Sequence, residues 1–252
     1  MNTEMDPWSL QPRHCDSRRA LLKSAAGIAT LCAISAPLLG VPDLTNAAAL
    51  TKEMRDMFTP DQIIEMMKQG NERFRVGKIS PHDYLAQKRA TVTGQYPAAV
   101  ILSCIDSRAP AEIIFDAGIG DAFNARIAGN IANDDLLGSL EFACALAGAK
   151  VILVMGHTAC GAVKGAIDGA QLGNLTGLLN KIKPAVDATH FEGDRTSKNG
   201  EFVDEVAKTN VLQTVNAIRK RSDVLAGLEK DGKIKIIGSM YRLAGGRVEF
   251  FT

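Results

Sequence analysis

Lys150-Val151-Ile152-Leu153-Val154-Met155-Gly156-His157-Thr158-Ala159-Cys160-Gly161 is an apolar run that opens straight onto an imidazole and a thiol. Val151 to Met155 show no alternation of apolar and polar side chains. That is the pattern of a strand covered on both faces, as in a parallel sheet between helices. A second run of the same character, Ala98-Ala99-Val100-Ile101-Leu102, ends in Ser103-Cys104-Ile105-Asp106-Ser107-Arg108. Working outward, 122–127 is a weaker strand candidate and 234–241 a further strand. Gly245-Gly246 then turns the chain into a last strand over 247–251. Helical periodicity is expected over 134–147, 175–188 and 202–220, and from Thr59-Pro60-Asp61 onward, where a cap precedes a proline in the first turn. Strands alternating with helices predict an α/β fold: a mostly parallel central β-sheet with an antiparallel edge strand, flanked by helices.

Both chemistry-bearing segments follow strands of such a sheet, where open α/β folds place their ligands. Adjacent parallel strands would bring Cys104, His157 and Cys160 together as two thiolates and one imidazole. Three protein ligands fit a catalytic zinc site, which keeps one position open, better than a structural site closed by four. Gly156 and Gly161 are expected to let the backbone bend so that His157 and Cys160 face one ion. Asp106 and Arg108 add a carboxylate and a guanidinium that can pair bidentately. Ionised Asp106 accepts hydrogen bonds only; released from Arg108, it could become a fourth ligand in a closed state. Taken singly, each residue has a plainer reading: Cys104 as a small buried hydrophobe, His157 as a loop hydrogen-bonder, Asp106 with Arg108 as a turn-stabilising pair. Their occurrence at successive strand ends is what points to a site. Cys144, inside the 134–147 helix, reads as core, and His82 and His190 as surface.

The 29 basic and 28 acidic residues leave a formal net charge of +1, so no global field is available to attract nucleic acid. Residues 1–48 read as an export signal rather than as part of the fold. Ser17-Arg18-Arg19-Ala20-Leu21-Leu22-Lys23 precedes a modestly apolar stretch interrupted by Gly27, Pro37 and Gly40, and Asn46-Ala47-Ala48-Ala49 supplies small residues for cleavage. The adjacent arginines indicate the twin-arginine type, which implies passage through that translocation machinery and a periplasmic or otherwise exported protein. Of the five cysteines, Cys15 and Cys32 fall in this segment. The odd three that remain in 49–252 do not form a disulfide framework.

Cys104-Ile105-Asp106-Ser107-Arg108 followed by His157-Thr158-Ala159-Cys160 resembles the signature of the β-class carbonic anhydrases. Gly70-Asn71-Glu72-Arg73-Phe74, Arg126-Ile127-Ala128-Gly129-Asn130, Ser139-Leu140-Glu141-Phe142 and Gly161-Ala162-Val163 extend the likeness over about residues 60–251. The resemblance implies reversible hydration of carbon dioxide to bicarbonate and a proton by zinc-bound hydroxide. It assigns one Zn2+ per subunit to Cys104, His157 and Cys160, makes Asp106 and Arg108 the catalytic dyad, and implies a homodimer or homotetramer. Tyr241-Arg242-Leu243, Gly245-Gly246, Asn124-Ala125 and Ile127 depart from the family's usual residues, and none belongs to the metal set.

Three rival readings are distinguishable. A CS2 or COS hydrolase would use the same ligands and differ in substrate access. A non-catalytic zinc- or bicarbonate-binding protein would need neither Asp106 nor Arg108. A thiol redox protein built on Cys104 and Cys160 lacks a C-x-x-C pair.

Overall fold

The computed structural model describes residues 49–251; the export signal expected over 1–48 lies outside them. In chain order the elements are α1 (Lys52–Met57), α2 (Pro60–Arg75), α3 (Tyr84–Ala90), β1 (Ala99–Ser103), α4 (Ala111–Ile114) and β2 (Ala122–Arg126). A 3-10 turn (Ala128–Asn130), α5 (Asp134–Glu141), a π turn (Phe142–Leu146), β3 (Val151–His157), α6 (Gly161–Ile167) and α7 (Gly173–Leu179) follow. The chain ends with α8 (Lys183–Ala188), α9 (Gly200–Arg221), α10 (Asp223–Lys230), β4 (Lys235–Tyr241) and β5 (Val248–Phe250). No helix among the described residues is long and apolar enough to cross a membrane.

The five strands order as β2-β1-β3-β4-β5, parallel except for the antiparallel β4–β5 pair. This is the mostly parallel sheet with one antiparallel edge that the apolar runs imply. Every residue of β1 and β3 is buried because helices cover both faces. Val100, Leu102, Ile152 and Val154 pack toward α5, α6, α8, α9 and α10. Ala99, Ile101, Val151 and Leu153 point the other way, toward α2 and α4. Burying each of the larger side chains stabilises the fold by ~1.5–3 kcal/mol. The polar Asn124 is explained by position: β2 is the edge strand, and the exposed Asn124 donates to Glu112 Oε1 at 2.8 Å.

Local chemistry sets the helix boundaries. Thr59 and Gln62 form a capping box, each side-chain oxygen accepting the other's backbone N–H at 3.2 and 2.8 Å. The helix expected over 134–147 is α-helical only to Glu141 and then widens into the π turn. The helix expected over 175–188 is two helices, with Pro184 in the first turn of the second. Strand β3 extends through His157, so this candidate ligand is the last strand residue rather than a loop residue.

His82 is a correction. Its side chain is only 9% exposed, and Nε2 lies 3.0 Å from Asp116 Oδ1. Asp116, with a side chain 1% exposed, also accepts from Arg73 Nε at 2.6 Å and from Ser80 N and Oγ. One buried carboxylate thus ties α2 to the chain that follows it and to the end of α4. Burial raises the pKa of Asp116, but the bonds from Arg73, Ser80 and His82 outweigh it and leave the carboxyl lowered. Cys144 is core, as its helical context implies, and burial pushes its thiol up to about 12. His190 is exposed.

Candidate metal centre

The parallel register Ser103↔Met155 sets the ends of β1 and β3 side by side. Cys104 follows β1 directly, His157 closes β3, and Cys160 caps α6. Their ligand atoms all lie within 4.8 Å of one another, and all three residues are buried. Among the described residues no other His/Cys/Asp/Glu group could hold a metal ion in this way. The backbone bends differently from expectation. Neither Gly156 nor Gly161 has a positive φ; the left-handed residue is Ala159, at φ 53°. Gly156 is needed for close packing instead, because a Cβ there would meet Val211 Cγ2 at 2.6 Å and Met240 Sδ at 2.8 Å.

His157 is oriented as a ligand. Nδ1 lies 2.9 Å from the Thr158 carbonyl oxygen, which can only accept, so Nδ1 carries the proton and the Nε2 lone pair is free. Nε2 is buried and has no hydrogen-bond partner, which a bound cation would supply. Two sulfurs this close cannot both ionise without a cation between them. The closeness of the Cys160 sulfur holds the Cys104 pKa far below the usual thiol range, and the Cys104 sulfur pushes that of Cys160 up. Burial lowers the pKa of His157, but the nearby Cys104 sulfur, the bond to Thr158 O and the charge of Asp106 outweigh it and leave it raised. The donor set, its burial and the unpartnered nitrogen all fit Zn2+.

Asp106 stands at the edge of this group, with Oδ2 3.7 Å from His157 Nε2. Arg108 holds it on both oxygens: N and Nε donate to Oδ1 at 2.9 Å, and Nη2 donates to Oδ2 at 2.8 Å. These side-chain bonds, foremost among the causes, keep the Asp106 carboxyl well below the usual carboxylate range.

Three further residues support these groups; Arg126 and Gly129 lie in the quoted Arg126–Asn130 segment without a role assigned to them there, and Asn210 lies in no quoted motif. Arg126 Nε donates to Cys104 O at 3.0 Å, and its Nη2 to Asp106 O at 2.6 Å. Gly129 N donates to Cys104 Sγ at 3.4 Å, and Asn210 Nδ2 in α9 donates to Gly129 O at 2.7 Å. The one signal for Asn210 was an amide on the apolar stripe of α9, among Val206, Ala207, Val211 and Thr214. Arg242, one of the departures from the family pattern, is matched by Glu249 at 3.0 Å and Asp204 at 3.8 Å.

Two soft ligands and one imidazole at the carboxyl ends of adjacent parallel strands, with a paired carboxylate beside them, define the class: a single-metal α/β enzyme site. Comparison with known proteins agrees. The carbonic anhydrase family profile matches residues 99–248. Carbonic anhydrase 2 of Mycobacterium tuberculosis (strain ATCC 25618 / H37Rv) is 36% identical over 187 residues, covering 72% of this chain and 87% of the relative. The carbonic anhydrase of Mycolicibacterium smegmatis is 35% identical over 185 residues, covering 73% and 89%. In fold, the β-carbonic anhydrase CcaA superposes with a TM-score of 0.59 at 24% identity, over 75% of this chain and 95% of that one. A tetrameric β-carbonic anhydrase of Sordaria macrospora gives 0.59 at 24%, over 75% and 96%. The chain belongs to the carbonic anhydrase family, and its fold is that of the β class.

Proposed function

We propose that this protein is a zinc-dependent β-carbonic anhydrase catalysing the reversible hydration of carbon dioxide to bicarbonate and a proton. The observation that carries the reading is the convergence of Cys104, His157 and Cys160 within 4.8 Å beside an Asp106 carboxylate gripped by Arg108. Zn2+ held by the three ligands would act as a Lewis acid that lowers the pKa of water from 15.7 toward ~7. The chain's own groups do the rest. Arg108 keeps Asp106 ionised and therefore an acceptor only. Asp106 takes a hydrogen bond from the attacking water and turns an oxygen lone pair toward the substrate carbon. Thr158 O fixes His157 in one tautomer, and the buried surroundings strengthen each of these interactions. Freed from Arg108, Asp106 would serve as a fourth ligand and close the site. Its 3.7 Å separation from His157 Nε2 supports that role.

Stopped-flow carbon dioxide hydration by the zinc-loaded protein tests the activity, with Cys160→Ser as the control. Rapid turnover by wild type, lost on chelation and in Cys160→Ser, is the expected outcome. Turnover that survives complete zinc removal would end the reading. A zinc-loaded protein idle with carbon dioxide but active on CS2 or COS would replace it.

The rest of the proposal concerns the whole chain. Residues 1–48 act as a twin-arginine signal that delivers the folded domain, 49–252, to the periplasm. The paired Arg18-Arg19, the modest apolar stretch and the small residues at 46–49 support this. The protein works as a homodimer or homotetramer. Support comes from the tetrameric fold neighbour and from apolar side chains that a single chain leaves in water, among them Ile105, Ile113, Phe142 and Leu146.

A further inference from the structure

His157-Thr158-Ala159-Cys160 has to lead β3 into α6 while two of its side chains face one point. Ala159 makes the reversal at φ 53°. Among the described residues the other non-glycine positions with positive φ are Asp116 and Asn130. Aspartate and asparagine enter that region more readily than other side chains, because a short polar group can bond locally. Alanine has no such group, and its Cβ opposes the conformation. The turn therefore needs an external hold.

Asp204, in the first turns of α9, provides it: Ala159 N donates to Asp204 Oδ1 at 2.8 Å. The partners of the carboxylate are themselves fixed. Asp204 Oδ2 lies 3.8 Å from Arg242 Nη1. Arg242 donates to Glu249 Oε2 from Nε at 3.2 Å and from Nη2 at 3.0 Å, across the β4–β5 pair. The neighbouring Thr158 is anchored separately, its N–H donating to Tyr241 O at 3.0 Å and its Oγ1 accepting from Leu243 N at 3.0 Å. One side of the four-residue segment is thus tied to the last residue of β4 by a backbone bond and to Leu243 just beyond it through the Thr158 hydroxyl. The left-handed residue depends on a side chain from α9.

We infer that Asp204 is a positioning residue for the metal centre: by holding the Ala159 turn it aims His157 and Cys160 at a common ion, and Arg242 steadies its carboxylate. Asp204 touches neither substrate nor metal in this role. The inference rests on the assignment of Cys104, His157 and Cys160 as ligands.

The test uses the full chain in four forms: wild type, Asp204→Ala, Asp204→Asn, and Asp204→Ala combined with Ala159→Gly. Two readouts besides activity are taken: zinc affinity by competition with a chromophoric chelator, and the visible absorption of the Co2+-substituted protein. Asp204→Ala should bind zinc about 10–100-fold more weakly and shift the Co2+ bands. Asp204→Asn, whose amide oxygen still accepts from Ala159 N, should stay close to wild type. The double variant should recover most of the loss, because glycine takes positive φ without a Cβ penalty. General damage to α9 would not be rescued by a change at residue 159. Wild-type affinity and spectrum in Asp204→Ala would overturn the proposal, as would a loss that Ala159→Gly fails to recover. Should Asp204→Ala not fold, the double variant decides: folded and zinc-binding supports the proposal, unfolded overturns it. A wild type that binds no zinc removes the ligand assignment itself and this inference with it.

Discussion

Proton balance at the two sulfurs governs how this site takes up a metal. The two sulfurs and the imidazole lie within 4.8 Å of one another, and this crowding favours a proton on Cys160 and raises the pKa of His157. Zinc requires both sulfurs as thiolates and a neutral imidazole, so binding must expel the protons held there. Calorimetry in buffers of different ionisation enthalpy should record release of about one to two protons per ion near neutral pH. Since those protons compete with the cation, apparent zinc affinity should fall as pH is lowered. Uptake with no proton release would contradict zinc binding through two thiolates. Arg108 acts differently. Its three bonds to Asp106 leave the metal ligands untouched, so Arg108→Ala should retain zinc while kcat falls ~10²-fold or more. Metal analysis beside stopped-flow kinetics separates the two effects. A variant that loses zinc in parallel with activity would place Arg108 in the metal shell instead.

At the level of elements, the sheet supplies position and its neighbours supply rigidity. Register between β1 and β3 brings Cys104 to His157, and α9 reaches the centre twice, through Asn210 to Gly129 and through Asp204 to Ala159. On the opposite face, α2 is held to α4 and to the intervening chain through Asp116. Asp116→Ala removes an acceptor shared by Ser80, His82 and Arg73, and should destabilise the fold by about 3 kcal/mol in denaturant unfolding, with zinc affinity unchanged. Gly129 is a second element-scale test. It sits at φ 72°, and an added Cβ would meet Ile182 Cδ1 at 2.4 Å. Gly129→Ala should cost about 1–3 kcal/mol through overpacking, and should also weaken the N–H bond to Cys104 Sγ.

At the scale of the whole molecule, the Arg18-Arg19 pair makes export testable. Replacing Arg18 and Arg19 together by lysine should leave the uncleaved precursor inside the cell, read by fractionation and by the mass of the exported form. Undiminished export of that variant would exclude the twin-arginine route. Much of the fold was legible because short, β-branched apolar runs such as Val151 to Met155, bounded by turn residues, suit strands covered on both faces. The breaks at Glu141 and before Pro184 were not, since a π turn and a helix pair carry the same apolar periodicity as one long helix. The burial of His82 was hidden for a related reason: its partner Asp116 lies 34 positions away.

Residue types and their order were enough to determine the α/β class and to single out Cys104, His157 and Cys160 as candidate ligands and Asp106 with Arg108 as a pair, because the strands follow from local pattern and each motif from a short spacing. Tertiary structure alone decided which residue turns the loop between His157 and Cys160, which nitrogen of His157 is free, and that Asn210, Arg126 and Asp204 reach the backbone of Gly129, Cys104 and Ala159. Those facts depend on distances between segments far apart in the chain, and such distances are set by packing, which no local pattern encodes.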